Sequence, residues 1–107
     1  MKGTHLGEFE ELVLLTSALL VNTAYSVTIA DEIEKHTDRN VTLSTVHTAL
    51  YRLEKKGYLE SYMGGTTQDR GGRRKRLYRI TAAGFEVLNQ ARQMRNRMWE
   101  MMPNYKF

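Results

Sequence analysis

The sequence predicts a mostly helical fold of the α+β class, in which one β-hairpin interrupts a series of helices. Three observations carry this prediction. Three segments before residue 58 show the apolar spacing of helices, two strand-like runs with glycines between them follow, and the last part is helical again. A chain of 107 residues is large enough for one domain with its own core.

The first two helices are predicted from their start signals. The stretch EFEELVLLTSALLV begins at Glu8 with acidic residues, which favour a helix N-terminus. Its second half is apolar on nearly every side, as in a helix buried on more than one face, within its own domain or against a partner. A second helix is predicted from Ser26, as its N-cap, to about Thr37, with Ile29 and Ile33 facing the core.

A third helix is predicted from Leu43 to Lys56, with Thr42 as its N-cap and Gly57 at its end. Apolar residues at positions 46, 50 and 53 recur at helical spacing and predict an inward face. The opposite face and its flanks are polar and almost free of carboxylates, since Glu54 lies to one side. This outer surface consists of Ser44, Thr45, His47, Thr48, Tyr51, Arg52 and Lys55.

The two strand-like runs, 58–63 and 75–81, are joined by a long loop rich in glycine. Positive charge is concentrated around this loop. Residues 1–38 hold two basic and seven acidic residues, a net charge of −5, whereas residues 39–79 hold ten basic and three acidic residues, a net charge of +7. The second segment is therefore suited to a polyanion. The side chains of the loop and its return strand that we expect to contact phosphates, or in the case of an arginine to enter the minor groove, are Arg70, Arg73, Arg74, Lys75 and Arg76.

This order of elements indicates a winged helix-turn-helix: three helices, a β-hairpin wing and a C-terminal helix. We expect residues 1–81 to form a DNA-binding domain, with the third helix in the major groove of double-stranded DNA. Thr81 is the expected N-cap of the last helix, which runs from Ala82 to about Met102. Residues 82–107 are expected to form a dimerisation helix and tail.

The last helix carries an apolar seam of the coiled-coil type. The seam is too short for a stable coiled coil by itself, so we expect it to pair two chains together with the apolar first helix. The alternative is that the helix folds back on its own domain, as expected of Phe85 and Leu88. The residues predicted to form the dimer interface are Leu14, Ala18, Val87, Ala91, Met94, Met98 and Met101.

Trp99 is the only tryptophan and lies near the end of the last helix, among methionines. A tryptophan in such a place most often packs in an interface. The other interpretation is contact with a small planar effector, because methionine adapts to many ligand shapes.

Sequence motifs over nearly the whole chain resemble the PadR family of bacterial transcription regulators. They are LGEFEELVLL, SVTIADEIE, TLSTVHTALYRLEKKGYLE and RGGRRKRLYRITAAG. The combination of RLExxG with a downstream RGGRxKxxYxxT is specific, whereas either part alone would be weak. The single C-terminal helix resembles the smaller subfamily. The resemblance implies a homodimeric repressor of operator DNA, and it allows relief by a small aromatic effector.

Other functional classes have little support. There are no cysteines, the histidines are scattered, and no catalytic or metal-binding spacing occurs, so we expect no enzyme, cofactor or metal site. No apolar run is long enough to cross a membrane, and a cytoplasmic protein is the default expectation. The alternatives are a winged-helix protein-interaction module without DNA binding and, in third place, an RNA-binding module.

Overall fold

The computed structural model describes residues 6–66 and 74–107, and in this part of the chain the predicted order of elements is confirmed. Three helices are followed by an antiparallel hairpin and a long last helix, which is a winged helix-turn-helix. The elements are α1 (Glu8–Leu19), α2 (Ser26–Thr37), α3 (Leu43–Lys55), β1 (Leu59–Thr66), β2 (Arg74–Ile80) and α4 (Ala82–Met101).

Two of the predicted helix caps are present. The Thr42 side chain accepts a hydrogen bond from the Thr45 N–H at 3.3 Å, and Thr81 accepts one from the Gly84 N–H at 3.0 Å. Each bond satisfies a backbone donor that has no partner within its helix. Gly57, with φ of 81°, ends the third helix in a backbone conformation that residues with a Cβ rarely adopt.

Several boundaries differ slightly from the expectation. The strands predicted at 58–63 and 75–81 are Leu59–Thr66 and Arg74–Ile80, and the third helix ends at Lys55 instead of Lys56. Tyr25, and not Ser26, is the N-cap of α2, so Ser26 is the first helical residue. The first helix ends at Leu19, because the chain turns through Asn22, whose φ is 68°. A left-handed backbone residue cannot continue a right-handed helix, so the apolar sequence runs past the end of the helix.

The core lies between the first three helices and the base of the hairpin. Burying a large aliphatic side chain completely stabilises the fold by about 1.5–3 kcal/mol. The fully buried aliphatic side chains of this core therefore provide the main driving force for folding. Thr16 and Ser17 are also buried, and their hydroxyls donate to the carbonyls of Leu12 and Val13 at 2.7 and 2.9 Å. The largest fully buried side chains are Val13, Leu14, Ile29, Ile33, Val46, Leu50, Leu53 and Leu59.

The hairpin is attached to the helices through its backbone. Within it, Leu59 pairs with Ile80 and Met63 with Arg76. On the other edge of β2, the Tyr78 N–H donates to the Ala24 carbonyl oxygen at 2.9 Å. The segment between α1 and α2 therefore continues the sheet by one hydrogen bond, which places the wing beside the start of α2.

The last helix packs on the body with its first half, where Arg95 still reaches Glu11 of α1 at 3.0 Å, and then projects away. From residue 92 to residue 107 every residue is exposed. The described residues extend over 59 × 32 × 21 Å and have a radius of gyration of 16.1 Å. A compact chain of this length would have a radius of gyration of about 13 Å. The molecule is therefore a small body with an arm, which is formed by residues 92–107.

Candidate nucleic-acid interface

All seven side chains predicted on the outer surface of α3 are exposed. The opposite side of the helix is buried in the core, through positions 46, 49, 50 and 53. The surface is polar and convex, and a single helix of this kind fits the width of the major groove of B-DNA. The seven residues are Ser44, Thr45, His47, Thr48, Tyr51, Arg52 and Lys55.

Hydroxyl groups on this surface are partly engaged with the helix itself. The Thr45 hydroxyl donates to the Thr42 carbonyl at 2.8 Å, and the Thr48 hydroxyl donates to the Ser44 carbonyl at 3.0 Å. Their protons are used locally, so these two threonines present a methyl group and an oxygen acceptor outward. Such groups can contact a thymine methyl or accept from a base amino group.

Tyr51 and Lys55 form one unit on the same surface. The Lys55 ammonium lies 5.4 Å from the centre of the Tyr51 ring, and the ring is 61% exposed. Because a cation over an aromatic face remains available to a second partner, this pair can still approach a phosphate.

Arg52 points toward α1 instead of lying free. Its guanidinium is 3.9 Å from the Glu10 carboxylate, which also accepts from the Lys56 ammonium at 2.7 Å. The Glu10 side chain is only 12% exposed, so this carboxylate forms part of the contact between the first and third helices. The sequence singled out Arg52 but neither Lys56 nor their acidic partner.

The described part of the wing presents three exposed arginines, Arg74, Arg76 and Arg79, of which the first two are predicted phosphate contacts and Arg79 pairs with Glu60 at 2.8 Å. Arg76 lies 3.6 Å from the Glu54 carboxylate, which also accepts from the Ser61 hydroxyl at 2.7 Å. Glu54, near the end of α3, therefore contacts both strands of the hairpin. The other two predicted arginines, Arg70 and Arg73, lie outside the described residues.

Lys75 has a partner in its own chain that the sequence did not suggest. Its ammonium lies 4.4 Å from the centre of the Tyr25 ring and donates to the Tyr25 hydroxyl at 3.1 Å. Tyr25 is the residue before α2, 50 positions away. No local pattern could have shown this contact, because it depends on how the wing meets the helices.

The acidic start of α1 is held to the loop between α2 and α3 and to α4. Glu8 accepts two hydrogen bonds from Arg39, at 2.9 and 3.0 Å, and Glu11 accepts one from Arg95 of α4 at 3.0 Å. The hydrogen bonds from Arg39 lower the pKa of Glu8, while partial desolvation opposes the shift. Negative charge near a helix N-terminus is also favourable, so these carboxylates serve the fold.

The predicted dimerisation residues separate into buried and exposed groups. Leu14 is fully buried in the core of its own chain and Val87 is 8% exposed, so the expectation of an intersubunit contact is corrected for both. Ala18 and Ala91 are half-buried. The three methionines are open to solvent, with exposed fractions of 39% for Met94, 62% for Met98 and 79% for Met101.

A second correction concerns Phe85, which was expected to pack on its own domain but is 61% exposed. Leu88 does pack against the core, as expected. Phe85 and Leu88 line an open groove of about 440 Å³ between α1 and α4, together with Leu15 and Ala18. Trp99, 70% exposed, lies at the same groove. At 100° per residue Trp99 is well away from the methionine seam, so α4 has apolar side chains on two sides.

A comparison of the sequence with known families identifies this chain. The Transcriptional regulator PadR-like family matches residues 15–90, which extend from α1 into α4 and include both strands. The chain belongs to the PadR-like family. No curated protein matches it. The resemblance in the sequence motifs is therefore confirmed.

Solved structures of PadR-like regulators agree in fold. A PadR family transcription regulator from hypervirulent Clostridium difficile is 28% identical, with a TM-score of 0.67 over 86% of this chain and 93% of that one. A transcriptional regulator from Clostridium thermocellum is also 28% identical, with a TM-score of 0.65 over 85% of each chain. A PadR-like transcription factor from Bacteroides fragilis, 20% identical, shares the fold with a TM-score of 0.70 over 86% and 84%.

This PadR-like chain is thus a DNA-binding transcription regulator and not an enzyme. Within residues 6–66 and 74–107, no three His, Cys, Asp or Glu side chains are grouped closely enough to hold a metal ion. In the same residues, none of the helices combines the length and the apolar character needed to span a membrane.

Proposed function

We propose that this PadR-like regulator is a homodimeric repressor in the bacterial cytoplasm that binds double-stranded operator DNA by sequence. The α3 surface enters the major groove and the wing contacts the flanking phosphates. The observation that carries the proposal is the position of the carboxylate-poor surface of α3 beside a wing with exposed arginines. Glu54 holds these two parts together, so that one duplex can meet both.

Homodimerisation is supported by the exposed arm. A monomer would leave Phe85, Met98, Trp99 and Met101 in water, each more than 60% exposed. Large apolar side chains exposed along one helix, here on two sides of α4, are typical of a surface that is covered by a partner. A second copy related by two-fold symmetry covers the same surface on both chains and presents two α3 helices to a symmetric operator.

The groove between α1 and α4 gives the repressor a place for a small aromatic effector. Its volume of about 440 Å³ is within the usual range for ligand pockets, and the exposed Trp99 ring offers a stacking surface. Since Trp99 is the only tryptophan, its fluorescence reports binding there directly. We expect a phenolic carboxylic acid, but not an aliphatic carboxylic acid of equal charge, to quench this fluorescence and weaken operator binding.

The experiment that tests DNA binding measures affinity against salt concentration. The variant Arg74→Gln/Arg76→Gln should bind operator and random duplex more weakly by the same factor. Its plot of log K against log salt should be flatter by about 2, because each lost phosphate contact removes about 0.9 from the slope. The matched control is Arg97→Gln/Lys106→Gln, which removes two exposed charges from α4 and the tail.

The control Arg97→Gln/Lys106→Gln should keep the DNA affinity and the salt slope of the original protein. If the wing variant binds as tightly as the original protein, the wing has no part in DNA binding. If the original protein binds no duplex DNA even at low salt, the alternative of a protein-interaction module is favoured, and if RNA competes better than duplex DNA, the alternative of an RNA-binding module is favoured.

A further inference from the structure

The contact between Tyr25 and Lys75 connects the wing to the helix-turn-helix. The Lys75 ammonium both lies over the Tyr25 ring, at 4.4 Å, and donates to its hydroxyl, at 3.1 Å. Both side chains are half-buried. A cation over a partly desolvated aromatic ring is held more strongly than one in open water. The ammonium of a lysine that only awaits a phosphate would extend into solvent instead.

The backbone next to this contact supports the same connection. The Tyr78 N–H of β2 donates to the Ala24 carbonyl, one residue before Tyr25. Side chain and backbone therefore attach β2 to the start of α2 at neighbouring points. On the other strand, Ser61 donates to Glu54 at 2.7 Å, which attaches β1 to the end of α3. The hairpin is held from both helices of the helix-turn-helix.

A fixed wing angle matters for binding. Groove and phosphate contacts form together only if the wing keeps a constant offset from α3. A wing that swings freely must be ordered at the moment of binding, and that loss of conformational freedom weakens the complex.

We propose that Tyr25 and Lys75 form a latch that sets the angle of the wing against the helix-turn-helix, so that Tyr25 is a positioning residue for DNA binding. Lys75 then acts through Tyr25 and does not neutralise a phosphate. This inference rests on the proposed binding of duplex DNA, and it replaces the expected phosphate contact of Lys75 by an internal role.

The test compares Tyr25→Leu, Lys75→Met and the double variant for operator affinity at several salt concentrations. Each single variant should lose about 3- to 10-fold in affinity, the range of one cation–aromatic contact. Its salt slope should stay unchanged. The double variant should be no weaker than the weaker single one, because both changes remove the same contact. Tyr25→Phe, which keeps the ring and loses the hydroxyl, should fall between the original protein and Tyr25→Leu.

The hairpin offers a matched control in Tyr62, whose ring lies 4.4 Å from the Arg79 guanidinium. That pair is internal to the wing, so Tyr62→Leu removes an equally close contact without releasing the wing from the helices. Its affinity should stay within about twofold of the original. If Tyr25→Leu does not fold, as judged by circular dichroism, Tyr25→Phe and Lys75→Met carry the comparison.

Two results would overturn the latch. One is a salt slope that falls by about 1 in Lys75→Met, with full affinity in Tyr25→Leu, which is the signature of a direct phosphate contact. The other is hydrogen exchange of the Tyr78 amide that is equally slow in the original protein and in Tyr25→Leu. The exchange measurement needs no DNA, so it tests the latch even if the proposed function fails.

Discussion

At the scale of single residues, Gly84 determines how closely α4 can approach the body. A Cβ at this position would overlap the Tyr58 carbonyl oxygen and lie 2.9 Å from Cγ1 of Ile80. Alanine is preferred over glycine inside a helix by up to about 1 kcal/mol, but overlap with a backbone oxygen forces the helix to move. We expect Gly84→Ala to lower the free energy of unfolding by about 1–2 kcal/mol net, measured by urea denaturation.

A matched control for the added methyl group is Gly7→Ala, since no atom lies within 4 Å of a Cβ at Gly7. Gly7→Ala should lower the free energy of unfolding clearly less than Gly84→Ala does. Equal stability of Gly84→Ala and the original protein would show that α4 does not approach Tyr58 this closely in solution.

The ion pair between Glu8 and Arg39 gives a prediction about pH. Hydrogen bonds from Arg39 lower the pKa of Glu8 below its ordinary value of 4.5 in the folded chain. A lowered folded pKa stabilises the fold above the unfolded pKa, and this stabilisation is lost as the pH falls through the folded pKa. Arg39→Gln should therefore be less stable than the original protein at pH 7, by a small amount because the pair is exposed to solvent.

The difference in stability between Arg39→Gln and the original protein should disappear as the pH falls below 4.5. Thermal unfolding at a series of pH values can follow this change. Arg97→Gln, which removes an exposed charge from α4, should show no such closing. A difference that stays constant into acid would mean that Arg39 stabilises the fold through its contact with the Phe9 ring, 5.7 Å away, and not through Glu8.

At the scale of elements, local signals predicted most of the helix ends, although the predicted N-cap of α2 was one residue off. Thr42, Thr81 and Gly57 mark helix ends through bonds or backbone angles that involve only nearby residues, and all three act as expected. The contacts that join elements were not predictable in this way. Glu10 and Lys56 are 46 residues apart, and Tyr25 and Lys75 are 50 apart. Which carboxylate or ring meets which cation depends on helix packing, and helical periodicity contains no information about it.

The outer surface of α3 should determine sequence preference, whereas the wing should determine affinity for any duplex. Base contacts give sequence preference, whereas phosphate contacts give affinity for any duplex. Ser44→Ala/Tyr51→Ala removes two exposed polar groups from α3 and leaves its buried face intact. We expect operator affinity to fall by about 10-fold or more, with random duplex and salt slope nearly unchanged, in an anisotropy titration.

The control is Tyr105→Ala, which removes an exposed tyrosine from the tail beyond α4. It should leave sequence preference as it was. If Ser44→Ala/Tyr51→Ala weakens operator and random duplex equally, α3 contacts the phosphates and some other part of the chain reads the bases.

At the scale of the whole molecule, the polar and the apolar exposed surfaces lie in different parts of the protein. The body carries the α3 surface and the wing, and α4 carries exposed apolar side chains. The ion pair between Glu11 and Arg95 holds the first half of the arm to the start of α1. Because α4 is held to α1 in each chain, two chains that pair through these helices place their bodies at a fixed distance. This distance sets the separation of the two α3 helices.

The last prediction tests this pairing with charge. Phe85 and Met98 lie on different sides of α4 and are 61% and 62% exposed, so glutamate at either position is tolerated by a single chain. In a dimer that pairs through α4, Phe85→Glu/Met98→Glu buries charge in an apolar interface, which is costly without a partner cation. Light scattering should then give the mass of one 12.4 kDa chain, where the original protein gives twice that mass.

Gln90→Glu/Gln93→Glu adds the same two charges at exposed polar positions of α4 and should remain a dimer. The monomeric variant should lose more affinity for a symmetric operator than for random duplex, because only the operator uses two linked α3 helices at a fixed spacing. A double variant that keeps twice the chain mass would place the interface on another surface, and the exposed arm would then need a different partner.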